Sequence, residues 1–265
     1  MDGPPSTPSP FWLQFCTSLT GTSHLAHRTP CQDASAIKRL GPSGEIVILA
    51  LSDGAGSASH SDIGSQTVVS HWLEYFTTLL HQCPDPDAVL AECGLPELHA
   101  ILADIRNSVE RHALAFEVSP SDFSATLLGA VLTPSGALVA QVGDGCWVGA
   151  VNGILGCLTW PTGGEFAGQT VFATSESAQL ALQLVHLPGA PSALVGFTDG
   201  MERLLLDFHT QLPAAGFFKP VFQGLQASPQ TFGAQLEEYL ESASVCERTD
   251  DDKSIGIVLR SNADF

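Results

Sequence analysis

Residues 45–64, EIVILALSDGAGSASHSDIG, join an apolar strand directly to a loop of small residues that begins at Asp53-Gly54. The chain repeats this step twice, because LVAQVGDG reaches Asp144-Gly145 and SALVGFTDG reaches Asp199-Gly200. An Asp-Gly pair after a strand is ordinarily a tight hairpin turn, which requires a second strand to begin at once. The segment after each pair therefore tests the hairpin interpretation.

Only one of the three pairs is succeeded by a strand pattern. CWVGAV begins at Cys146, so a hairpin turn is predicted at Asp144-Gly145. Asp53 is succeeded by small residues and then a helical pattern, and Asp199 by MERLLLDF, a helical or irregular segment. We therefore predict that Asp53 and Asp199 are held at strand ends beside a glycine, where the backbone can approach a ligand closely.

A further acidic group precedes the closing strand. The run TDDDKS, residues 249–254, leads into SIGIVLR. If this strand is antiparallel to the other two, its acidic start lies at the same edge as Asp53 and Asp199. Converging carboxylates repel one another unless a cation neutralises them, and hard oxygen ligands without a nearby His or Cys pair favour Mg²⁺ or Mn²⁺ over Zn²⁺. Spacing alone is equally compatible with separate solvated loop residues.

Composition favours one domain, expected at residues 11–265 after a flexible leader at 1–10, because 44% of the 265 residues are hydrophobic and 14% charged.

A net charge of −18 and a pI near 4.6 make nucleic acid and anionic membranes poor partners. The seven scattered cysteines predict reduced thiols in a cytoplasm. The uncharged stretch 123–143 is interrupted by TPSG, so no membrane span is expected.

Strands come in antiparallel runs and helices in blocks, which favours an α+β layered domain. Strands are predicted at FWLQFCTSLTG, EIVILALS, TVFAT, SALVGFT and SIGIVLR, with a meander of four short strands between residues 124 and 159. Apolar spacing predicts helices over 63–80, 98–116 and 230–243, with a Gly-rich loop at 161–168 and the region 202–226 unassigned.

Five sequence blocks, in this order, resemble the metal-dependent serine/threonine protein phosphatases of type 2C, especially their compact bacterial branch. The resemblance covers residues 18–260. HRTPCQDA at 27–34 resembles the family's Arg…Glu-Asp-Ala block, and SDGAG at 52–56 its Asp-Gly-x-Gly block. The other three are VGDG at 142–145 for Gly-Asp-Ser, TDG at 198–200 for Ser-Asp-Gly, and DDKS at 251–254 for Asp-Asn-x-Thr. The implied fold is two packed antiparallel sheets flanked by helices, a four-layer αββα sandwich.

The resemblance also implies a metal site. Asp53 would bridge two metal ions, Asp199 and Asp251 would complete one of them, and the Gly54 carbonyl would serve the other. Asp33 would hold the water shell of that second metal.

Two more positions gain a role from the resemblance. Asp144, together with Asp199, would stand where some members bind a third ion. Arg28 would bind the substrate phosphate through its planar fork of donors.

The implied reaction is hydrolysis of phosphoserine and phosphothreonine by a water bridging two divalent metals, Mn²⁺ or Mg²⁺, without a protein nucleophile. Substrates are expected to be phosphoproteins that a serine/threonine kinase has modified. The sequence leaves the physiological substrate and the oligomeric state open.

The chain departs from the family pattern at three places. Gln32 replaces a Glu, and Ala55 stands where some members have a His proposed as general acid. His60 in the same loop is the candidate replacement, although a lone His in such a loop more often caps a helix or faces solvent. Arg203 occupies the place of a third-ion acid, which leaves the neighbouring Glu202 to serve instead.

These departures keep two other functions open. One is a pseudophosphatase that binds phosphoproteins or scaffolds a kinase without turnover. The other is a metal-dependent hydrolase of small phosphate esters, since the sequence does not show how deep or broad the cleft is.

Overall fold

The computed structural model describes residues 11–161 and 170–265 of the chain. The leader predicted at 1–10 and nearly all of the Gly-rich loop predicted at 161–168 lie outside the described residues.

Ten strands form two five-stranded antiparallel sheets in the described residues. Sheet I has the order β1 (Trp12–Leu19), β12 (Lys253–Arg260), β9 (Ala193–Phe197), β6 (Cys146–Val151), β7 (Ile154–Cys157). Sheet II has the order β2 (Ala34–Leu40), β3 (Ile46–Ser52), β4 (Leu127–Leu132), β5 (Ala137–Val142), β8 (Gln183–Leu187). A small ribbon pairs β10 (Leu206–Asp207) with β11 (Leu212–Pro213).

Helices cover the outer face of each sheet. The helices are α1 (Thr22–His27), α2 (Ser61–His81), α3 (Pro86–Glu92), α4 (Leu95–Phe116), α5 (Ala178–Ala181), α6 (Glu202–Leu205), α7 (Ala215–Ala227), α8 (Pro229–Leu240) and α9 (Ala243–Cys246). Helices α2 and α4 bury their apolar residues against sheet II, and α7 and α8 against sheet I. None of the helices in the described residues is both long and apolar enough to cross a membrane.

The period of two along the central strands explains the layers. On β3, Ile48 and Ala50 belong to the core under the helices, while Val47, Leu49 and Leu51 belong to the core between the two sheets. Because successive side chains point to opposite faces, a strand buried on both faces reads as one continuous apolar run. The predicted αββα sandwich is therefore confirmed.

The hairpin predicted at Asp144-Gly145 is wrong. Strand β5 pairs with β4 and β8 in sheet II, whereas β6 pairs with β7 and β9 in sheet I, so this turn carries the chain from one sheet to the other. The predicted four-stranded meander is consequently two hairpins in different sheets. The two-residue turn Asn152-Gly153 does join β6 to β7, with φ of 53° and 77° at its two residues.

Three other differences concern regions of weak pattern. Residues 170–174, predicted as a strand, are irregular, although Ala173 N donates a hydrogen bond to Ala125 O at 2.8 Å. Strands β2 and β8 lie where the pattern predicts no strand, and helix α7 lies in the unassigned region 202–226. Both missed strands lie at a sheet edge, where one side is open to solvent and the apolar signal is weaker.

The glycines of the three Asp-Gly pairs are required by close packing of backbone. None of Gly54, Gly145 and Gly200 has a positive φ. A Cβ atom on Gly54 would lie 2.6 Å from the carbonyl oxygen of Gln32, and one on Gly200 would overlap the carbonyl oxygen of Asp252. Each of these glycines therefore allows a neighbouring segment of the chain to approach its backbone closely.

Gly200→Ala is expected to lower the free energy of unfolding by about 3 kcal/mol, because two backbone segments would have to separate. The matched control is Gly156→Ala on β7, where an added Cβ meets nothing within 4 Å; it should stay within about 0.5 kcal/mol of the wild type. Urea denaturation in EDTA measures both. Equal losses in the two variants would contradict the packing explanation.

Candidate metal centre

Three aspartates from different strand ends converge at one edge of the sandwich. Asp53 comes directly after β3 of sheet II, Asp199 comes two residues after β9 of sheet I, and Asp144 lies in the crossing between the sheets. One carboxylate oxygen of each lies within 4.8 Å of the others, and all three side chains are half-buried. The predicted convergence of Asp53 and Asp199 is thus present, and Asp144 joins them from the turn between sheets.

The pKa values of these acids show how costly the arrangement is. Burial, with the charges of Asp33 and Asp199, raises the pKa of Asp53 well above its usual range. The pKa of Asp199 is raised to about 6, chiefly by burial and further by the charges of Asp144 and Asp251. The pKa of Asp33 is raised to about 7, again chiefly by burial. Each raised pKa reflects a carboxylate that is buried away from water and lies near other carboxylates.

Two carboxylate oxygens near the centre have no hydrogen-bond partner among the described residues. They are Oδ1 of Asp144 and Oε1 of Glu202, both buried as atoms. The other oxygen of Asp144 accepts a hydrogen bond from the Thr170 hydroxyl. Burial and the charges of Asp199 and Asp144 raise the pKa of Glu202 to about 8. Unpartnered buried oxygens and hard ligands fit a divalent cation such as Mg²⁺ or Mn²⁺.

Asp251 lies at the same edge but is exposed. It lines a pocket of about 270 Å³ together with Asp199, Glu202 and two arginines, Arg203 and Arg248. Its charge raises the pKa of Asp199, so the two carboxylates are close enough to interact, although Asp251 is outside the group of three whose oxygens meet. The arrangement leaves Asp251 accessible to a ligand in the pocket.

The next residue, Asp252, is a buried carboxylate beside the candidate centre, which the sequence did not predict. Its side chain is 3% exposed and accepts hydrogen bonds from Gly21 N and Gln32 N, both at 2.6 Å. His24 Nδ1 lies 2.8 Å from the same carboxylate. Nothing in the run of three aspartates indicates that one of them is buried.

The structure places Asp33 and Gly54 beside the acidic centre. Asp33 is buried, and its carboxylate accepts a hydrogen bond of 2.8 Å from the Thr198 hydroxyl, next to Asp199. Gly54 is buried, and its backbone forms an isolated bridge with Ala125.

Arg28 and His60 have different surroundings. Arg28 is exposed, ends helix α1 in the left-handed conformation with φ of 59°, and has no ion-pair partner in the described part of the chain. The ring of His60 packs against Phe116 and Phe123, with centroid distances of 5.0 and 5.3 Å.

Two packed antiparallel sheets flanked by helices, with three carboxylates converging at one edge, define a protein of the αββα class with a candidate metal centre. Residues 20–241 match the sequence profile of the family described as Protein phosphatase 2C. The chain belongs to the protein phosphatase 2C family, and the resemblance recognised in its sequence is confirmed. Phosphatases of this family are metal-dependent, and the cluster of three acidic residues is compatible with a metal site.

A sequence relative supports the assignment along nearly the whole chain, and two solved structures share the fold. The chain is 33% identical over 256 residues to "Serine/threonine-protein phosphatase 3" of Escherichia coli (strain K12), and the match covers 94% of this chain and 98% of that protein. Its fold is similar to that of the serine/threonine phosphatase Stp1 from Staphylococcus aureus, with a TM-score of 0.65 and 14% identity over 98% of this chain and 99% of that one. It is also similar to PppA of Pseudomonas aeruginosa, with a TM-score of 0.62 and 18% identity over 94% and 98% of the two chains.

The raised pKa values predict that Asp199→Asn stabilises the metal-free protein. Folding favours the protonated form of these acids, so stability falls as the pH rises from the usual carboxyl value of 3.8 through the raised value of about 6 at Asp199. At pH 8 without metal, the variant should therefore be more stable by about 2 kcal/mol, and at pH 4 this advantage should disappear. Urea denaturation in EDTA at the two pH values measures the difference.

Asp207→Asn is the control of opposite sign, because hydrogen bonds from Thr210 and His209 lower the pKa of Asp207. That variant should lose stability at pH 8. Added Mn²⁺ should raise the melting temperature of the wild type more than that of Asp199→Asn. A wild type that is the more stable protein in EDTA at pH 8 would refute the electrostatic explanation.

Proposed function

We propose that this protein hydrolyses phosphoserine and phosphothreonine in protein substrates, using two Mn²⁺ or Mg²⁺ ions. The observation that carries the proposal is the meeting of Asp53, Asp144 and Asp199 within 4.8 Å at the positions of the family's acidic blocks. Membership in the protein phosphatase 2C family supports the same conclusion.

The residues that would hold the ions are those at the edge of the sheets. Asp53, Asp199 and Asp251 would supply carboxylates, and the Gly54 carbonyl would complete the set, with Asp33 acting through water. Bound divalent cations lower the pKa of water and offset charge on a phosphate group. Asp144 and its buried, unpartnered Oδ1 would serve a third ion.

Three arginines of this acidic chain would contribute to binding of the phosphorylated substrate. Arg28 would bind the phosphate, since it is exposed and without an ion-pair partner in the described residues. Arg203 and Arg248 border the pocket that contains Asp199 and Asp251, and their charge would offset repulsion between a phosphoprotein and a protein of net charge −18. The substrates would be proteins modified by a serine/threonine kinase.

The two other candidates fit the structure less well. A pseudophosphatase has no use for carboxylates whose pKa values are raised by burial and mutual repulsion, although Gln32 and Ala55 depart from the family pattern. A hydrolase of small esters would need no cationic border around its pocket, whereas this pocket has two arginines.

Turnover with metal is the decisive test. The wild type with Mn²⁺ is expected to hydrolyse both p-nitrophenyl phosphate and a phosphothreonine peptide, and Asp199→Asn should lower kcat on both by about 100-fold or more, because a metal ligand is lost. Asp207→Asn, at the exposed end of β10, should leave both activities unchanged.

Each alternative predicts a different result in the same assay. A folded wild type inactive with every divalent ion would support the pseudophosphatase and overturn the proposal. Turnover of the small ester without turnover of any phosphopeptide or phosphoprotein would support the third candidate.

We further propose that His60 is a packing residue. His60→Ala should leave kcat within about twofold of the wild type and lower stability by about 1 kcal/mol, because the ring packs between Phe116 and Phe123. Steady-state kinetics and urea denaturation test both parts. A large loss of kcat in a variant of unchanged stability would instead assign His60 the general-acid role.

A further inference from the structure

One buried carboxylate holds both ends of the segment that carries Arg28. Oδ1 of Asp252 accepts a hydrogen bond from Gly21 N at 2.6 Å, and Oδ2 accepts one from Gln32 N at 2.6 Å. His24 Nδ1 lies 2.8 Å from Oδ1 and ties helix α1 to the same group. Residues 21–32 therefore form a loop closed on a single side chain.

The chemistry of this contact is specific to a carboxylate. Asp252 is 3% exposed, and a buried charge is tolerated only when hydrogen-bond donors surround it. Two backbone amides supply those donors here, and Nδ1 of His24 lies 2.8 Å from Oδ1. An asparagine could accept on one atom only and would direct an NH₂ group at one of the two amides.

The two ends of the loop lie against two segments of the metal centre. Ser23 N donates to the carbonyl oxygen of Asp250 at 2.9 Å, beside Asp251. At the other end, the carbonyl oxygen of Gln32 would lie 2.6 Å from a Cβ atom on Gly54. The position of the loop is therefore fixed relative to the loops that carry Asp53 and Asp251.

This anchoring restricts the backbone on both sides of Arg28. This residue lies between the two ends of the loop and adopts the left-handed conformation, with its backbone N–H directed at the carbonyls of His24 and Leu25. An exposed guanidinium on an unanchored loop would lose conformational entropy when it bound a phosphate. Fixing the backbone on both sides reduces that loss.

We propose that Asp252 is a positioning residue that holds the loop 21–32, and with it Arg28, in place for binding the substrate phosphate. The proposal rests on the proposed function, because it assigns Arg28 to the phosphate. Asp252 itself touches neither the substrate nor the reacting atoms, and its effect passes through the loop.

A double-mutant cycle tests the coupling. The readouts are the dissociation constant of inorganic phosphate in the presence of Mn²⁺, measured by calorimetry, and KM and kcat for a phosphothreonine peptide. Arg28→Ala should weaken phosphate binding about tenfold, as expected for loss of one charge-assisted hydrogen-bonded contact. Asp252→Asn should weaken it severalfold and raise KM similarly, with kcat within about twofold.

The distinguishing result is non-additivity. In the double variant, phosphate binding should equal that of Arg28→Ala alone, because a loop without Arg28 has nothing left to position. His24→Ala, which removes the imidazole beside Oδ1 and leaves both amide contacts, should give a smaller change in the same direction and serves if Asp252→Asn does not fold. Asp122→Asn is the matched control, since Asp122 also accepts from a backbone amide, that of Ser119 at 3.0 Å, and should leave phosphate binding unchanged.

Three outcomes would overturn the inference: additive effects in the double variant, no change on removal of Arg28, or a loss confined to kcat. Failure of the proposed function would be seen separately, as absence of turnover in the wild type. Phosphate binding with the same non-additivity in an inactive wild type would leave the positioning role standing.

Discussion

Repulsion among carboxylates at one edge of the sandwich is the constraint that the rest of the structure has to overcome. Oxygens of Asp53, Asp144 and Asp199 are brought within 4.8 Å, and burial raises the pKa of two of these acids. In a flexible structure, this repulsion would move the three carboxylates apart. Strand β3 resists this because its alternate residues are buried in two different cores, so that sliding by one residue would exchange its two sets of core contacts.

The glycine after each aspartate also helps to hold the carboxylates in place. Gly54 and Gly200 lie so close to the backbone of Gln32 and Asp252 that a side chain would force the segments apart. The carboxylate is thereby held beside a chain crossing that only glycine permits. The repeated Asp-Gly pair is consequently a packing motif, in which the glycine lets neighbouring loops meet and the aspartate occupies the place where they meet.

The sequence predicted those features that depend on strong local patterns. Continuous apolar runs located β3 and β12, helical spacing located α2 and α4, and the position of acids at strand ends indicated the convergence of Asp53 and Asp199. The wrong or missing predictions concern features that depend on contacts between distant parts of the chain. Asp144-Gly145 stands between two strand patterns, and local sequence cannot reveal that the strands pair with other partners in different sheets. For the same reason, a run of three aspartates cannot show which of them lies under a loop 220 residues earlier in the chain.

The neighbours Asp251 and Asp252 have different surroundings and would have two different roles in the proposed function. In an extended segment, successive side chains point to opposite sides, so Asp251 faces the pocket while Asp252 is buried against the loop 21–32. The charge of Asp252 still raises the pKa of Asp33, so a carboxylate anchor adds to the repulsion that the centre must bear. An amide would avoid that cost but could not accept from both amides at once. The proposed anchoring of the loop 21–32 therefore accounts for an Asp at this position in spite of the negative charge that it adds beside the candidate metal centre.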